Sequence, residues 1–236
     1  MKKYFLSVTF LIFAAACLAQ NVIDSGAFFL HKFAQNIGKE TYVITGNGNE
    51  LTYEVNFKFT DRGSPVPLKA KLVTNNAHEP ISLFIKGSTS RFSTINDSIR
   101  IQDKNVSSWV DSVVSNEALK PLSFPVAGYS PGTVQMVLLK YWNTHGQPKS
   151  ISLLPKGEVV ITKDGTETFI LNKEPLLLNR YIISGLIWGN EIAWTDAKGN
   201  LICLITNDAE GDKLEMMQVA CEELPPRGRP ILLRCP

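Results

Sequence analysis

The sequence has few of the side chains from which most catalytic and metal sites are built. Its 236 residues include only three histidines, and no H-x-H or C-x-x-C motif occurs. Each histidine stands without a second histidine or cysteine within a helical turn, so the ligand clusters of zinc sites are missing. We therefore expect no metal, no cofactor and no catalytic activity. The three histidines are His31, His78 and His145.

The spacing of a hydrolase nucleophile elbow occurs once, in the stretch from Gly128 to Gly132, where a proline follows the serine. A serine hydrolase needs that serine at a strained strand-to-helix turn, with a histidine base beside it. Since Ser130 directly precedes a helical pattern, we interpret it as a helix N-cap. Phosphate-binding glycine loops are also missing, because residues 47–49 have the pattern of a hairpin turn.

An excess of charge of either sign is also lacking. The chain has 24 Lys and Arg against 22 Asp and Glu. Lys2 and Lys3 lie in a segment that we expect to be removed, which leaves the mature chain balanced. Basic residues such as Lys58, Lys69 and Lys71 are scattered, so the sequence predicts no nucleic-acid partner and no broad basic footprint for acidic lipid. The hydrophobic fraction of 44% excludes a disordered chain.

Residues 1–19 predict a signal for export. A short basic start precedes a mainly apolar run from Tyr4 to Ala16, and small residues follow. The run is shorter than the roughly 20 residues that a membrane-crossing helix needs. Cleavage after Ala19 would release the chain into the periplasm or the extracellular space. A lipoprotein signal ending at Cys17 is the alternative, and we expect membrane contact only in that lipidated case.

Three cysteines remain if Cys17 is removed with the signal. Cys203 lies in a run of apolar residues and is predicted to be a buried thiol. Cys221 and Cys235 flank a segment that contains proline and arginine. An odd number of cysteines leaves at least one thiol unpaired. Cys221 and Cys235 could form a disulfide with each other, and the sequence does not decide whether they do.

Short runs of alternating apolar and polar residues dominate the body of the chain. In residues 50–60 every second residue is apolar, from Leu51 to Phe59, which is typical of a half-buried strand. About a dozen strand-like runs alternate with turn signals, and the close spacing of the turns favours antiparallel pairing. Residues 91–103 are predicted to form a hairpin. The other runs lie at 28–34, 38–45, 67–74, 81–87, 150–155, 157–163, 166–172, 176–185, 187–196 and 201–207.

One segment, at about residues 131–145, has helical periodicity. Pro131 suits the first turn of a helix, and Gly146 suits its end. Met136 and Leu139 widen the apolar stripe, so we expect the helix to be buried on more than one side. The residues that follow the i, i+3, i+4, i+7, i+8 rule are Val134, Val137, Leu138, Tyr141 and Trp142.

These patterns predict a mainly β protein with a single β-rich domain over residues 20–215. A curved antiparallel sheet, or half-barrel, with the helix of 131–145 on its concave side would bury the helical stripe. A two-sheet β-sandwich is the alternative. Residues 216–236 are predicted to form a tail, and a short helix from Asp212 to Glu223 also fits the pattern.

Aromatic residues of the helix and of a late strand form the candidate binding surface. Trp188 and Trp194 are six residues apart, so on one strand they would face the same side. Aromatics on a sheet face can hold a sugar or an acyl chain, although such residues are more often core. Glu191 and Asp196 are the acid pair that stays open for glycoside chemistry. The candidate surface for an apolar ligand or a partner comprises Val134, Leu138, Tyr141, Trp142, Trp188 and Trp194.

Residues 134–159 and 178–202 resemble the N-terminal β-domain that precedes the catalytic barrel in some secreted bacterial amidohydrolase-like proteins. The segments IGKETYVI, FKFTDRG and IKGSTSRFSTI are similar to the same domain, so the resemblance spans about residues 28–215. The pattern from Arg180 to Leu201 has a weaker, architectural likeness to periplasmic lipoprotein-carrier half-barrels. The histidines of an amidohydrolase metal site have no counterpart here, so no catalytic residue is carried over.

The sequence thus predicts an exported, non-catalytic β-domain that acts as a binding or scaffolding module. Its partner would be an apolar small molecule or lipid, or another protein. The resemblance implies an alternative, in which the chain is the accessory N-terminal domain of an amidohydrolase-type hydrolase. The catalytic barrel of that hydrolase is missing from this chain and would act as its partner domain.

Overall fold

The computed structural model describes residues 21–33, 35–171, 174–187, 189–207 and 213–218. These residues form fifteen strands and one helix, α1 (Gly132–Thr144). The strands are β1 (Asn21–Lys32), β2 (Gln35–Gly46), β3 (Glu50–Asp61), β4 (Ser64–Asn75), β5 (Pro80–Ser88), β6 (Thr94–Gln102), β7 (Asn105–Val110), β8 (Val113–Ala118), β9 (Ser123–Pro125), β10 (Ile151–Leu154), β11 (Glu158–Leu171), β12 (Glu174–Ser184), β13 (Asn190–Thr195), β14 (Leu201–Asn207) and β15 (Lys213–Gln218).

All fifteen strands belong to one curved sheet. Neighbouring strands are antiparallel except for β9 and β10, which are parallel. The first and last described strands, β1 and β15, pair in the middle of the sheet, and β9 contacts β5. The prediction of a curved, mainly β half-barrel is therefore confirmed, and the two-sheet alternative is wrong. The strand order is β8-β7-β6-β5-β4-β3-β2-β1-β15-β14-β13-β12-β11-β10-β9.

The alternation predicted for residues 50–60 is realised in β3. Its Tyr53, Val55 and Phe57 are buried, and the polar residues between them are exposed. β3 pairs with β4 along its whole length, from Glu50 opposite Asn75 to Asp61 opposite Ser64. Because side chains alternate with a period of two, this register places the apolar residues of both strands on the same inner face.

The helix α1 lies within the curl of the sheet and is buried on nearly all sides. Ten of its 13 residues are buried, including the whole predicted stripe. A helix without a solvent-facing side must be enclosed, so the main core forms between α1 and the inner face of the sheet. The largest fully buried side chains of the protein are Tyr53, Phe28, Phe57, Phe124, Leu30, Leu68, Leu72, Ile85, Ile99, Met136, Leu138 and Leu139.

Two predicted turns are placed elsewhere in the structure. Residues 94–102 form the single strand β6, and the hairpin turn follows at Asp103 and Lys104, which both have positive φ. The runs 157–163 and 166–172, predicted as separate strands with a turn between them, form the one long strand β11, and its register with β12 shifts at that point. Local turn residues are therefore present in both places, but strand pairing continues through them.

The helix predicted from Asp212 is wrong over the described residues 213–218, which form β15. Leu214 and Met216 face the main core, and Met217 packs in a second cluster. The pairing of β15 between β1 and β14 supplies hydrogen bonds on both sides. Tertiary pairing therefore overrides the helical preference of this short segment.

A second apolar cluster lies on the outer face of β11 to β15, opposite α1. Some of its members directly follow a residue of the main core, as Trp194 follows Ala193 on β13. Cys203 is buried in this cluster, which confirms the prediction of a buried thiol. The buried members are Phe169, Leu178, Trp194, Ile202, Cys203 and Met217.

Candidate functional site

The concave face predicted to hold a ligand or a partner is filled by α1. Val134, Leu138, Tyr141 and Trp142 are each at most 4% exposed. Trp142 packs edge-on against Tyr181, with 6.0 Å between the ring centroids. These helix side chains belong to the core, so a ligand could contact them only if α1 moved out of the concave side of the sheet.

Trp194 lies on the face of the sheet opposite to α1. Its ring packs edge-on against Phe169 at 6.2 Å, and its Nε1–H donates to Glu167 Oε2 at 3.0 Å. The expectation that Trp194 shares a surface with the helix is wrong, because Ala193 takes the inward position on β13. The other sequence candidates lie outside the described residues, namely Trp188, Cys17, Ala19, Cys221 and Cys235.

A buried acid on β2 holds the N-terminus of α1. Glu40 Oε2 accepts a hydrogen bond from Gly132 N–H at 2.9 Å, and its Oε1 accepts one from Thr133 N–H at 2.7 Å. The Thr133 hydroxyl donates to the same Oε1. Burial raises the pKa of Glu40, although these three donors act against the rise. The cap predicted at Ser130 is wrong, because a residue 92 positions away supplies the carboxylate instead.

A second buried acid, Glu191 of β13, contacts the first turn of α1. Gln135 Nε2 donates to Glu191 Oε1 at 2.9 Å. Gln135 Oε1 and Glu191 Oε2 are both buried, and neither has a hydrogen-bond partner within the described residues. Burial raises the pKa of Glu191, and contacts with Thr206 and Gln135 oppose the rise. A proton on Glu191 would supply a donor that the pair lacks.

Replacement Glu191→Gln is expected to stabilise the protein at pH 8 and to change little near pH 4. Burial raises the pKa of Glu191 in the native protein. The stabilising contribution of its protonated form is therefore complete below the unfolded pKa, about 4.5, and is lost as pH rises through the native pKa. A glutamine at position 191 stays neutral, and its amide N–H group is a donor for the unpartnered Gln135 Oε1. We expect a gain of about 1 to 2 kcal/mol at pH 8 in urea unfolding.

The matched control for this change is Glu158→Gln, at an exposed position on β11. It should alter the free energy of unfolding by less than about 0.5 kcal/mol at either pH. A loss of stability in Glu191→Gln at pH 8, or a gain of equal size at both pH values, would contradict the assignment of a protonation-dependent pair.

Titratable side chains that are far apart in the sequence lie together at the C-terminal end of α1. The Tyr53 hydroxyl and His78 Nδ1 are hydrogen-bonded at 3.1 Å. His145 directly follows α1, and its Nδ1 lies 2.8 Å from Tyr141 O, while its Nε2 lies 3.4 Å from Glu79 Oε1. Two of the three histidines therefore share one end of the half-barrel, which no spacing in the sequence indicated.

The electrostatics of this end disfavour the charged forms of His78 and Tyr53. Burial lowers the pKa of His78, and the charges of Lys140 and His145 lower it further. Burial raises the pKa of Tyr53 to about 12. Lys140 Nζ donates to Asn200 Oδ1 at 2.9 Å. A neutral histidine and a protonated tyrosine thus tie the β4–β5 loop to β3, and this arrangement offers no activated nucleophile.

The sequence candidates for hydrolysis fall into separate networks. Asp196 accepts hydrogen bonds from the backbone N–H groups of Lys198 and Asn200 and so closes the turn after β13. Glu191 instead faces α1. The Ser130 hydroxyl is buried, and His145 lies beyond the far end of α1, which is about 20 Å long.

Two properties follow from the arrangement of the described residues alone. Within them, no group of three or more His, Cys, Asp and Glu side chains is arranged to hold a metal ion. The described part of the chain also has no helix with the length and apolar character needed to span a membrane.

The edge strand β8 is exposed, and no other described strand pairs with its outer edge. Five of its six residues are exposed, and β7 is its one neighbour in the described sheet. Residues 111–112 both have positive φ and form a two-residue turn, which makes Val110 and Val113 a hydrogen-bonded closing pair. The backbone N–H and C=O groups of Val114 and Asn116 therefore point away from β7.

A row of apolar side chains crosses the outer face towards this edge. Phe84, Trp109 and Val114 lie in register across β5, β7 and β8, with Ser98 of β6 between the two aromatics. They are 44%, 46% and 72% exposed. The edge strand at the other end, β9, has three buried residues and ends in Pro125, so it cannot readily accept a further strand.

No protein-family model matches the sequence, and no curated protein matches it. Among solved structures, the chain is similar to the crystal structure of a β-barrel-like protein of the domain of unknown function DUF1849 from Brucella abortus. The two chains are 10% identical, with a TM-score of 0.51 over 83% of this chain and 94% of that chain. These matches give no support to an amidohydrolase-associated domain. The structural likeness shows that this chain has a β-barrel-like fold.

Proposed function

We propose that this chain is an exported, non-catalytic binding module that holds an extended segment of a partner protein against β8. The open edge of β8, bordered by the row of Phe84, Trp109 and Val114, carries this proposal. A β-barrel-like neighbour of unknown function is consistent with a binding role. Export is supported by the basic and apolar pattern of residues 1–19.

Strand addition uses both features of this edge. The backbone of an incoming strand would pair with the outward N–H and C=O groups of Val114 and Asn116. Its outward side chains would then lie beside Val114 and close to Trp109, whose ring supplies a large apolar contact. Natural edges are usually protected by charged residues, most often lysine, by proline or by a bulge. β8 has one charged residue, Glu117, and no lysine or proline, since its sequence is VVSNEA.

The other roles predicted from the sequence have less support. An apolar ligand in the concave face would need the volume that α1 occupies. An accessory role beside an amidohydrolase-type barrel rests on sequence resemblance alone. Partner-protein binding at β8 needs no rearrangement of the fold, because the edge and its apolar row are exposed as they stand.

A photo-crosslinking amino acid at position 114 is expected to form one discrete adduct with a partner protein in cells. The change Asn116→Pro removes an N–H that points away from β7, so it should block strand addition while preserving the β7–β8 hairpin. We expect this change to reduce the adduct at least tenfold. The measurement is the adduct intensity on a denaturing gel, followed by mass spectrometry.

The same crosslinker at position 160 is the control, because Val160 is exposed on β11 and lies far from β8 in the sheet order. It should form no corresponding adduct. A thermal melt of Asn116→Pro within a few degrees of the parent protein would show that the fold is intact. An adduct that persists in Asn116→Pro, or that forms equally from position 160, would refute binding at the β8 edge.

A further inference from the structure

Four lysines form two like-charged pairs on the outer face of β2 to β5. Lys39 of β2 lies opposite Lys58 of β3, and Lys69 of β4 lies opposite Lys86 of β5. All four are exposed, and none has an ion-pair partner among the described residues. Like charges placed directly opposite each other destabilise a sheet, so the stability of the fold does not explain them. We call these residues the lysine quartet.

The two lysine pairs form one compact patch. Lys58 is opposite Pro67 on β4, and Lys69 is the next residue of that strand on the same face. Four neighbouring strands span about 15 Å, so the quartet concentrates its charge within that width. Glu54 is near the quartet, but it pairs with Lys71 at 3.7 Å. The local charge is therefore strongly positive although the chain as a whole is nearly neutral.

Two phenylalanines project from loops at one end of the same strands. Phe33, between β1 and β2, is 76% exposed, and Phe92, between β5 and β6, is 84% exposed. They are the most exposed large apolar side chains of the described residues. Each has a cation beside its ring, with Lys32 Nζ at 5.6 Å from Phe33 and Arg91 Cζ at 4.5 Å from Phe92.

These loops and the lysine quartet can meet a single surface. Lys58 is three residues from the end of β3, and Lys86 is two residues from the end of β5. At about 3.3 Å per residue, both lie roughly 7 to 10 Å from the loop end of the sheet. When the outer face of the sheet lies against a flat surface, the two phenylalanines and the lysine quartet can therefore contact that surface together.

We propose that this end of the protein docks on an anionic lipid surface, with Phe33 and Phe92 in the interface and the lysine quartet over the headgroups. Apolar tips next to basic side chains are the composition of peripheral membrane contacts. An acidic protein segment would match the charge, but the phenylalanines project from separate loop tips and do not line a groove. The contact needs no lipid on Cys17 and does not use the backbone edge of β8.

Vesicle sedimentation tests this proposal on the exported protein carrying Cys17→Ser, so that no lipid anchor contributes. We expect binding to phosphatidylcholine vesicles that contain about a quarter phosphatidylglycerol, and at least tenfold weaker binding to phosphatidylcholine alone. Salt at about 0.5 M should abolish most of the binding, because it screens the lysine charges.

Variants of the two surface features sharpen the test. Loss of two charges in Lys58→Gln with Lys86→Gln should weaken binding about 30-fold. Phe33→Ser with Phe92→Ser should weaken it at least tenfold. The matched control is Lys163→Gln with Lys198→Gln, which removes the same charge from exposed positions elsewhere and should weaken binding less than about threefold.

Equal binding by the quartet variant and its control would overturn the proposal. Binding to polyglutamate but not to vesicles, lost in the quartet variant, would also overturn it and would assign the patch to an acidic protein. The Asn116→Pro variant should bind vesicles as the parent protein does. The proposal of a membrane contact and the proposal of partner binding at β8 can therefore be refuted independently of each other.

Discussion

Replacement Glu40→Ala is expected to lower the free energy of unfolding by about 4 kcal/mol. The change leaves the N–H groups of Gly132 and Thr133 and the Thr133 hydroxyl without their buried acceptor. Each such buried group costs about 1 to 3 kcal/mol when it is unsatisfied. For a protein of this size the loss corresponds to a fall in Tm of roughly 10 to 15 °C, measured by thermal unfolding.

The effect should be specific to the contact between β2 and α1. Glu40→Gln keeps one acceptor oxygen and should lose about half as much stability. Glu50→Gln, at an exposed position on β3, should change the free energy of unfolding by less than about 0.5 kcal/mol. If Glu40→Ala unfolded at the same temperature as Glu50→Gln, the carboxylate would not be anchoring α1.

Replacement Gly38→Ala is expected to destabilise the protein by about 3 kcal/mol, through the backbone rather than through a lost contact. A Cβ atom at this position would lie 2.2 Å from Lys58 O and 2.4 Å from Phe59 Cα. Both are backbone atoms of β3, so the clash cannot be relieved by turning a side chain. β2 and β3 would have to separate at this point, two residues from the Glu40 carboxylate that holds the start of α1.

Urea unfolding would measure this loss, and Gly128→Ala is its control. At Gly128 the nearest atom to a new Cβ would be Ile95 Cδ1 at 3.6 Å, an ordinary contact. That change should stay within about 0.5 kcal/mol of the parent protein. A Gly38→Ala protein as stable as Gly128→Ala would show that β2 and β3 have more freedom than their close approach implies.

Gly38 and Glu40 show how two neighbouring positions of β2 can serve one purpose. Gly38 lets β3 approach closely, and Glu40 faces inward to hold the start of α1. Neither role is visible in the sequence, where the segment is a short strand pattern with a glycine and an acid. Both depend on which strand lies alongside and on where the helix enters the curl.

The candidate binding residues were predictable only in part. The stripe of α1 was identified correctly as buried on several sides, because helical periodicity is a property of neighbouring residues. That burial makes the stripe core in this structure. Trp194 was assigned to the concave face, but a strand reveals only that alternate residues share a side, and the tertiary structure decides which side faces α1.

The sequence by itself determined the strand-rich composition, the position of α1 and the absence of H-x-H and C-x-x-C ligand motifs. These properties follow from local periodicity, turn residues and the spacing of a few residue types. Only the tertiary structure decided that Glu40 caps α1, that His78 and His145 share one end, that β8 is left open and that four lysines lie together. The physical reason is strand register, which brings distant residues face to face and allows a chain with nearly balanced charge to carry a strongly basic surface.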